Sequence, residues 1–146
     1  MHQILERYAK WDYRASKAGF IPVTKGLILE LLDKITDKEV NEIAERVERK
    51  EFVDVSLLFK NEFNMESFFE IIAMRAKVSG YPYRYTTKGK VHSFVLQHDL
   101  GQKWSFYLSS RYRAALEDLG LSNFKFRTAP NTIQFDVVEP DFQDKS

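Results

Sequence analysis

The chain has no cysteine among its 146 residues and only three histidines, at positions 2, 92 and 98. The absence of cysteine excludes disulfide bridges, thiolate nucleophiles and metal sites that need cysteine ligands, and it fits a reducing, cytoplasmic compartment. His92 and His98 are six residues apart on one predicted strand, which separates them by about 20 Å. They cannot share one ion at that distance, so the sequence predicts no metal site.

Long apolar runs and a dominant sign of charge are also missing. No run approaches the length of about 20 residues that crosses a bilayer, and the first residues, MHQILERYAKWDYR, lack the apolar segment of a signal peptide. We therefore predict a cytoplasmic protein without membrane association. The 22 Lys and Arg balance 21 Asp and Glu, which excludes a molecule built to coat nucleic acid.

Glycine is scarce, and the six glycines form neither a Walker-type loop nor a Gly-x-Gly-x-x-Gly motif. Ser105, Ser109 and Ser110 lie on a predicted helix without the Gly-x-Ser-x-Gly turn of a nucleophilic serine. A pair of one of these serines with His98 would need a geometry that sequence does not reveal. Because no acid, base and oxyanion donor can be assembled, we predict no catalytic residues, no enzyme activity and no cofactor.

Aromatic residues are abundant instead, at 14% of the chain with twelve phenylalanines, which predicts a well-filled core or an apolar interface. Over residues 1–80 the apolar positions recur with a helical period. Helices are predicted at 2–19, after the caps Thr24, Thr36 and Asn64, and over an ambiguous short segment at 52–63. This predicts an N-terminal layer of four to five helices.

From Tyr81 onward the hydrophobic period changes from about 3.6 to 2, which indicates strands. Four alternating segments are interrupted by one helix that begins near Leu100 and ends at Gly120. The expected fold is α+β, with a four-stranded antiparallel sheet in a β-β-α-β-β order and one packed helix. The predicted regions are helices at 1–80, sheet plus helix at 81–139, and a flexible acidic tail at 140–146. Nothing marks a flexible joint, so one compact unit is expected.

The stretch HDLGQKWSFY, residues 98–107, looks most like chemistry. Asp99 followed by Gln102 is typical of a helix cap, and we expect Asp99 to cap the helix and Trp104 to be largely buried. The alternative is an anion site formed by His98, Lys103 and the free N–H groups at 100–102. The negative charge of Asp99 disfavours this alternative.

A basic surface is predicted on the sheet. Residues 81–130 hold eight Lys and Arg against three Asp and Glu. If the phenylalanines of NFKFR face the core, Lys125 and Arg127 point outward, together with Arg84 on a neighbouring strand. Polar residues on the outer face of a sheet account for the same pattern without any function.

The segment ILERYAKWDYRASKAGFIPVTKGLILELLDKI resembles a junction in archaeal proteins that carry an N-terminal ribbon-helix-helix DNA-binding motif. In that family the second helix of the motif continues through a pattern like ILxRYxxWD into a helical C-terminal region. HDLGQKWS and the following FYLSSRYRAALEDLG are similar to the end of that region. The resemblance implies an effector region of unknown function. Since the β-ribbon that reads DNA bases is missing here, we expect no direct DNA binding by this chain alone.

These observations predict a non-enzymatic regulatory or interaction domain, the effector half of a transcription-factor-like protein. The alternative is an independent domain that binds a small-molecule effector in a pocket between helices and sheet. The candidate ligand-binding residues for that pocket are Tyr83, His98, Lys103, Trp104 and Tyr107.

A homodimer is also predicted. The first helix has a core-facing stripe of Ile4, Tyr8, Trp11 and Ala15, and it carries apolar Leu5 off that stripe. In the resembling family this helix belongs to an intertwined dimer, and aromatic clusters are enriched at interfaces. A second contact within the same chain would cover this surface equally well.

Overall fold

The computed structural model describes residues 17, 19–60 and 62–141, except for the side chains at 48–53, 55, 56 and 58–60. Most of the helix predicted at 2–19, the dimer contact predicted on it and most of the acidic tail lie outside these residues. The described part confirms the α+β class, with four helices and a four-stranded antiparallel sheet. No helix in this part is both long enough and apolar enough to span a membrane.

Three described helices precede the sheet: α1 (Lys25–Asp33), α2 (Asp37–Lys60) and α3 (Met65–Ser79). Each begins after a predicted cap. Thr24 Oγ1 accepts the Leu27 N–H at 3.2 Å, and Thr36 forms a reciprocal capping box with Glu39. These bonds satisfy backbone donors that the first helical turn leaves without a partner.

The ambiguous segment 52–63 is helical up to Lys60, but it is not a separate short helix, because α2 continues through it without interruption. Four to five helices were expected ahead of the sheet, and the described residues contain three. The segment from Asp37 to Lys60 contains no glycine or proline, so no residue in it favours a stop.

The remaining elements are β1 (Tyr83–Lys88), β2 (Val91–Gln97), α4 (Gln102–Asp118), β3 (Phe124–Ala129) and β4 (Thr132–Val138). The strands lie in the order β1-β2-β4-β3, and every neighbouring pair is antiparallel. Two tight hairpins join β1 to β2 and β3 to β4, and Gly89 takes a left-handed φ of 61° in the first turn. Helix α4 connects the two hairpins.

The core lies between one face of the sheet and the helices α3 and α4. Its fully buried side chains come from both layers, among them Phe68, Ile72, Phe94, Leu116, Ile133 and Phe135. Helix α2 packs on α4 from outside through buried Val40 and Ala44. Because α4 is enclosed by the sheet and α2, it buries residues on several sides, including Ser105 and Arg111.

Asp99 does not cap α4, contrary to the prediction. The N-cap position is Gly101, which offers no side chain, and Asp99 adopts a left-handed φ of 60° two residues earlier. The loop is held instead by the turn between β3 and β4. The Asn131 carbonyl accepts the His98 N–H at 2.9 Å, and the Asn131 side chain accepts the Gly101 N–H at 3.1 Å. A contact over 30 residues of sequence therefore overrides the local capping pattern.

The cap of α3 should matter for stability more than the cap of α1. Asn64 and Ser67 form a reciprocal box at the start of α3, which supplies much of the core, whereas α1 has no buried residue. We expect Asn64→Ala to lower the free energy of unfolding by about 1 kcal/mol in urea titrations. The matched variant Thr24→Ala should cost clearly less. Equal losses from the two variants would contradict this assignment.

Candidate functional site

His98 is fully buried at the end of β2 and links three parts of the fold. Its Nδ1 accepts the Leu100 N–H at 2.8 Å, and its Nε2 lies 2.7 Å from Ser105 Oγ. The Ser105 hydroxyl in turn donates to the Ala129 carbonyl at 2.6 Å. The structure thus brings together the histidine and one of the serines that the sequence singled out.

The proton positions in this pair do not suit catalysis. Because Nδ1 accepts from a backbone N–H, the neutral ring carries its proton on Nε2 and donates it to Ser105. A general base must accept the serine proton, and this nitrogen cannot. Burial lowers the pKa of His98 to about 4, with Asp99 opposing the effect. His98 therefore acts as a neutral structural cross-link.

The other predicted ligand-binding residues do not gather around His98. Trp104 is partly buried and stacks on Tyr107 at 4.8 Å between ring centroids. Lys103 donates to the Leu32 carbonyl at 3.0 Å and so ties α4 to α1. Tyr83 lies on the edge strand and stacks on a core phenylalanine. None of the five predicted residues lines the groove described next.

A groove of about 1080 Å³ opens beside the first half of α3. Its walls are α3, the hairpin of β1 and β2, the chain after α4 and the chain after β4. Phe69 contributes a ring that stacks on Tyr85 at 4.8 Å and on His92 at 5.3 Å. Leu121 adds apolar surface on another side. The size and the mixed aromatic and polar lining are typical of a small-molecule site.

Three polar side chains form a hydrogen-bonded chain along this groove. The Tyr85 hydroxyl lies 2.5 Å from His92 Nδ1, and His92 Nε2 lies 3.1 Å from Glu139 Oε2. A carboxylate only accepts, so Nε2–H donates to Glu139, and in this tautomer Nδ1 accepts from the Tyr85 hydroxyl. Burial raises the pKa of Tyr85, and the carboxylates of Glu139 and Glu66 raise it further. Tyr85 is therefore a neutral donor.

Sequence reasoning missed this chain. His92 was considered as a metal ligand with His98, and no role was predicted for Tyr85. Both side chains lie on the core face of the sheet. Tyr85 pairs with Phe94, two residues after His92, so Tyr85 and His92 are diagonal neighbours on β1 and β2. Counting outward from the turn could have placed them side by side. No local signal indicates Glu139, which is 47 residues away from His92.

The predicted basic residues lie on the sheet face opposite the core, as strand alternation requires. Arg84 and Arg127 are exposed at opposite edges of one cross-strand row, and Lys125 lies opposite Asp136 in the next row. The Asp136 carboxylate accepts the Ser93 hydroxyl at 2.6 Å. The two arginines are three strand spacings apart, about 14 Å. In the described residues no group of three or more acidic or histidine side chains could hold a metal ion.

The neutral state of His98 should make stability depend on pH. Its pKa is about 4 in the folded chain and about 6.5 when unfolded. Between these values the unfolded chain binds a proton that the folded chain does not. The free energy of unfolding therefore falls as the pH drops from about 6.5 to 4, by up to about 3 kcal/mol.

The matched variant is His98→Asn, whose side-chain oxygen can still accept the Leu100 N–H but does not titrate. In urea titrations the stability advantage of the wild type over this variant should shrink as the pH falls through that window. An advantage that stays constant from about pH 7 to pH 4 would show that His98 is not held neutral by the fold.

No protein-family model matches the chain, and no curated protein matches it. The resemblance to ribbon-helix-helix proteins therefore stays an expectation. The groove and the chemistry of the residues around it are the features that indicate a function.

Proposed function

We propose that this chain is a non-enzymatic regulatory domain that binds a small-molecule effector in the groove beside α3. The observation that carries the proposal is the hydrogen-bonded chain of Tyr85, His92 and Glu139 along an aromatic-lined cavity. A few convergent polar groups in an apolar cavity orient a ligand and give specificity. The proposal keeps the predicted ligand-binding alternative but moves its site from the His98 end of β2 to the His92 end.

A binding role is favoured over catalysis by the surroundings of the two histidines. His98 donates to Ser105 and is buried. His92 is flanked by a tyrosine whose pKa is raised, which makes a poor nucleophile. The same groups serve well as fixed donors and acceptors for a bound molecule. Regulation follows if the occupied groove holds α3 and the chain after β4 in one arrangement.

Ligand binding in the groove can be tested with a fragment library that spans positive, neutral and negative aromatic compounds. We expect at least one fragment to shift the amide resonances of groove residues. Ala73→Phe places a ring in the groove and should abolish those shifts, because Ala73 lines the cavity. The matched control Glu45→Phe adds a ring to an exposed position on α2, outside the groove lining, and should leave binding unchanged.

Two outcomes would contradict the proposed function. One is a complete absence of fragments that perturb the groove. The other is a set of fragments that bind Ala73→Phe as tightly as the wild type, which would place their site elsewhere.

Homodimerisation is the second part of the proposal, and helix α1 supports it. Leu27 and Leu31 are 48% and 56% exposed, and four residues apart they share one helix face. Val23 and Ile21, just ahead of the helix, are also exposed. Monomeric proteins rarely expose contiguous apolar patches of this kind, and we propose that a second copy covers this one. The dimer contact predicted on the helix at 2–19 would be next to these exposed residues in the sequence.

Sedimentation equilibrium can test this interface. We expect the wild type to be dimeric and Leu31→Glu to weaken association by about tenfold or more, since a carboxylate would enter an apolar contact. Leu29→Glu is the matched control, because Leu29 is 46% exposed on the opposite side of the same helix. A wild type that is monomeric at high concentration, or a control that dissociates as readily as Leu31→Glu, would rule the interface out.

A further inference from the structure

The charges around the groove are predominantly negative. Glu66, Glu70 and Glu139 lie in its lining. Lys90 is the one basic side chain of the described lining, and it is paired with Asp141. Asp141 offsets Lys90, so acidic side chains outnumber basic ones in the described lining.

Two of these carboxylates line the groove from different parts of the fold. Glu66 at the start of α3 and Glu139 after β4 both act on the Tyr85 hydroxyl and raise its pKa. Glu66 lies on α3 and Glu139 lies after β4, so the two are not neighbours on one helix surface. Glu139 accepts only one hydrogen bond from His92 in the described structure, and a carboxylate has further lone pairs to offer.

The aromatic rings beside these carboxylates supply the second feature of a site for an organic cation, an aromatic face. Tyr85 is 39% exposed, while the ring of Phe69 backs it and His92. An aromatic face with nearby negative charge attracts organic cations, through the ring quadrupole and through Coulomb attraction. An anionic molecule would meet repulsion from Glu66 and Glu139.

We infer that the effector of this groove is a small organic cation, an amine or quaternary ammonium group on an apolar body. The inference rests on the proposed ligand-binding function and adds the ligand's charge class. The cationic head lies between Glu66 and Glu139 next to the Tyr85 ring, and the apolar body lies along α3 towards Leu121.

Three water-soluble probes of similar shape test the charge preference in the full chain. They are choline, its uncharged carbon isostere dimethylbutanol, and the dimethylbutanoate anion. Each is titrated into isotope-labelled protein while the amides of groove residues are followed. We expect choline to bind about tenfold more tightly than the alcohol and to weaken as salt is added, with the anion binding least.

The double variant Glu66→Gln/Glu139→Gln keeps a hydrogen-bond acceptor for His92 but removes two charges. It should abolish the preference for choline and leave the affinity for the alcohol unchanged. Glu45→Gln is the matched control, because Glu45 is exposed on α2 away from the groove. This control should retain the full preference.

The failures of the two proposals are distinguishable. If the alcohol or the anion binds the groove as tightly as choline, or if choline binding survives the double variant, the cation inference is overturned and the groove remains a ligand site. If choline leaves the groove amides unchanged while neutral or anionic fragments shift them, the inference is likewise overturned. If no probe and no fragment reaches the groove, both proposals fail together.

Discussion

The packing of Phe69 joins the core of this protein to its groove. Its ring is almost fully buried and lies nearly parallel to Phe135 in the core, at 6.1 Å, and to Tyr85 at the groove, at 4.8 Å. A single side chain on α3 thus fixes how the helix sits on the sheet and supplies the backing for the polar chain. A change at Phe69 would alter stability and site geometry together, so the two cannot be separated by mutating it.

Two histidines on one strand illustrate how environment decides chemistry. His92 and His98 are both placed on the core side of β2 or its continuation, yet His98 is enclosed between the sheet and α4 while His92 lies at the groove. The Leu100 N–H binds Nδ1 of His98, so the ring proton is on Nε2, where it is donated to Ser105. Both ring nitrogens are therefore occupied by contacts within the fold. His92 instead connects two side chains at the surface of a cavity. Depth in the fold, more than residue type, separates a structural histidine from a functional candidate.

Helix caps and helix boundaries could be predicted from the sequence only where local contacts decide them. The caps at Thr24, Thr36 and Asn64 were predicted because a capping bond spans only three residues. The cap at Asp99 was predicted wrongly, because Asn131 holds that loop from across the sheet. The separate helix at 52–63 was wrong for a local reason: the segment from Asp37 to Lys60 contains no glycine or proline, so nothing in it favours a stop.

The sequence by itself determined the α+β class, the change from helices to strands near residue 80, and the side of the sheet on which each strand residue lies. These properties follow from periodicities of 3.6 and 2, which act between residues close in the chain. Only the tertiary structure decided that Tyr85, His92 and Glu139 meet at one groove and that His98 is sealed away from it. Glu139 reaches His92 because β4 pairs with β2 and not with a strand beyond it, and strand order is set by packing of the whole core, which no local pattern encodes.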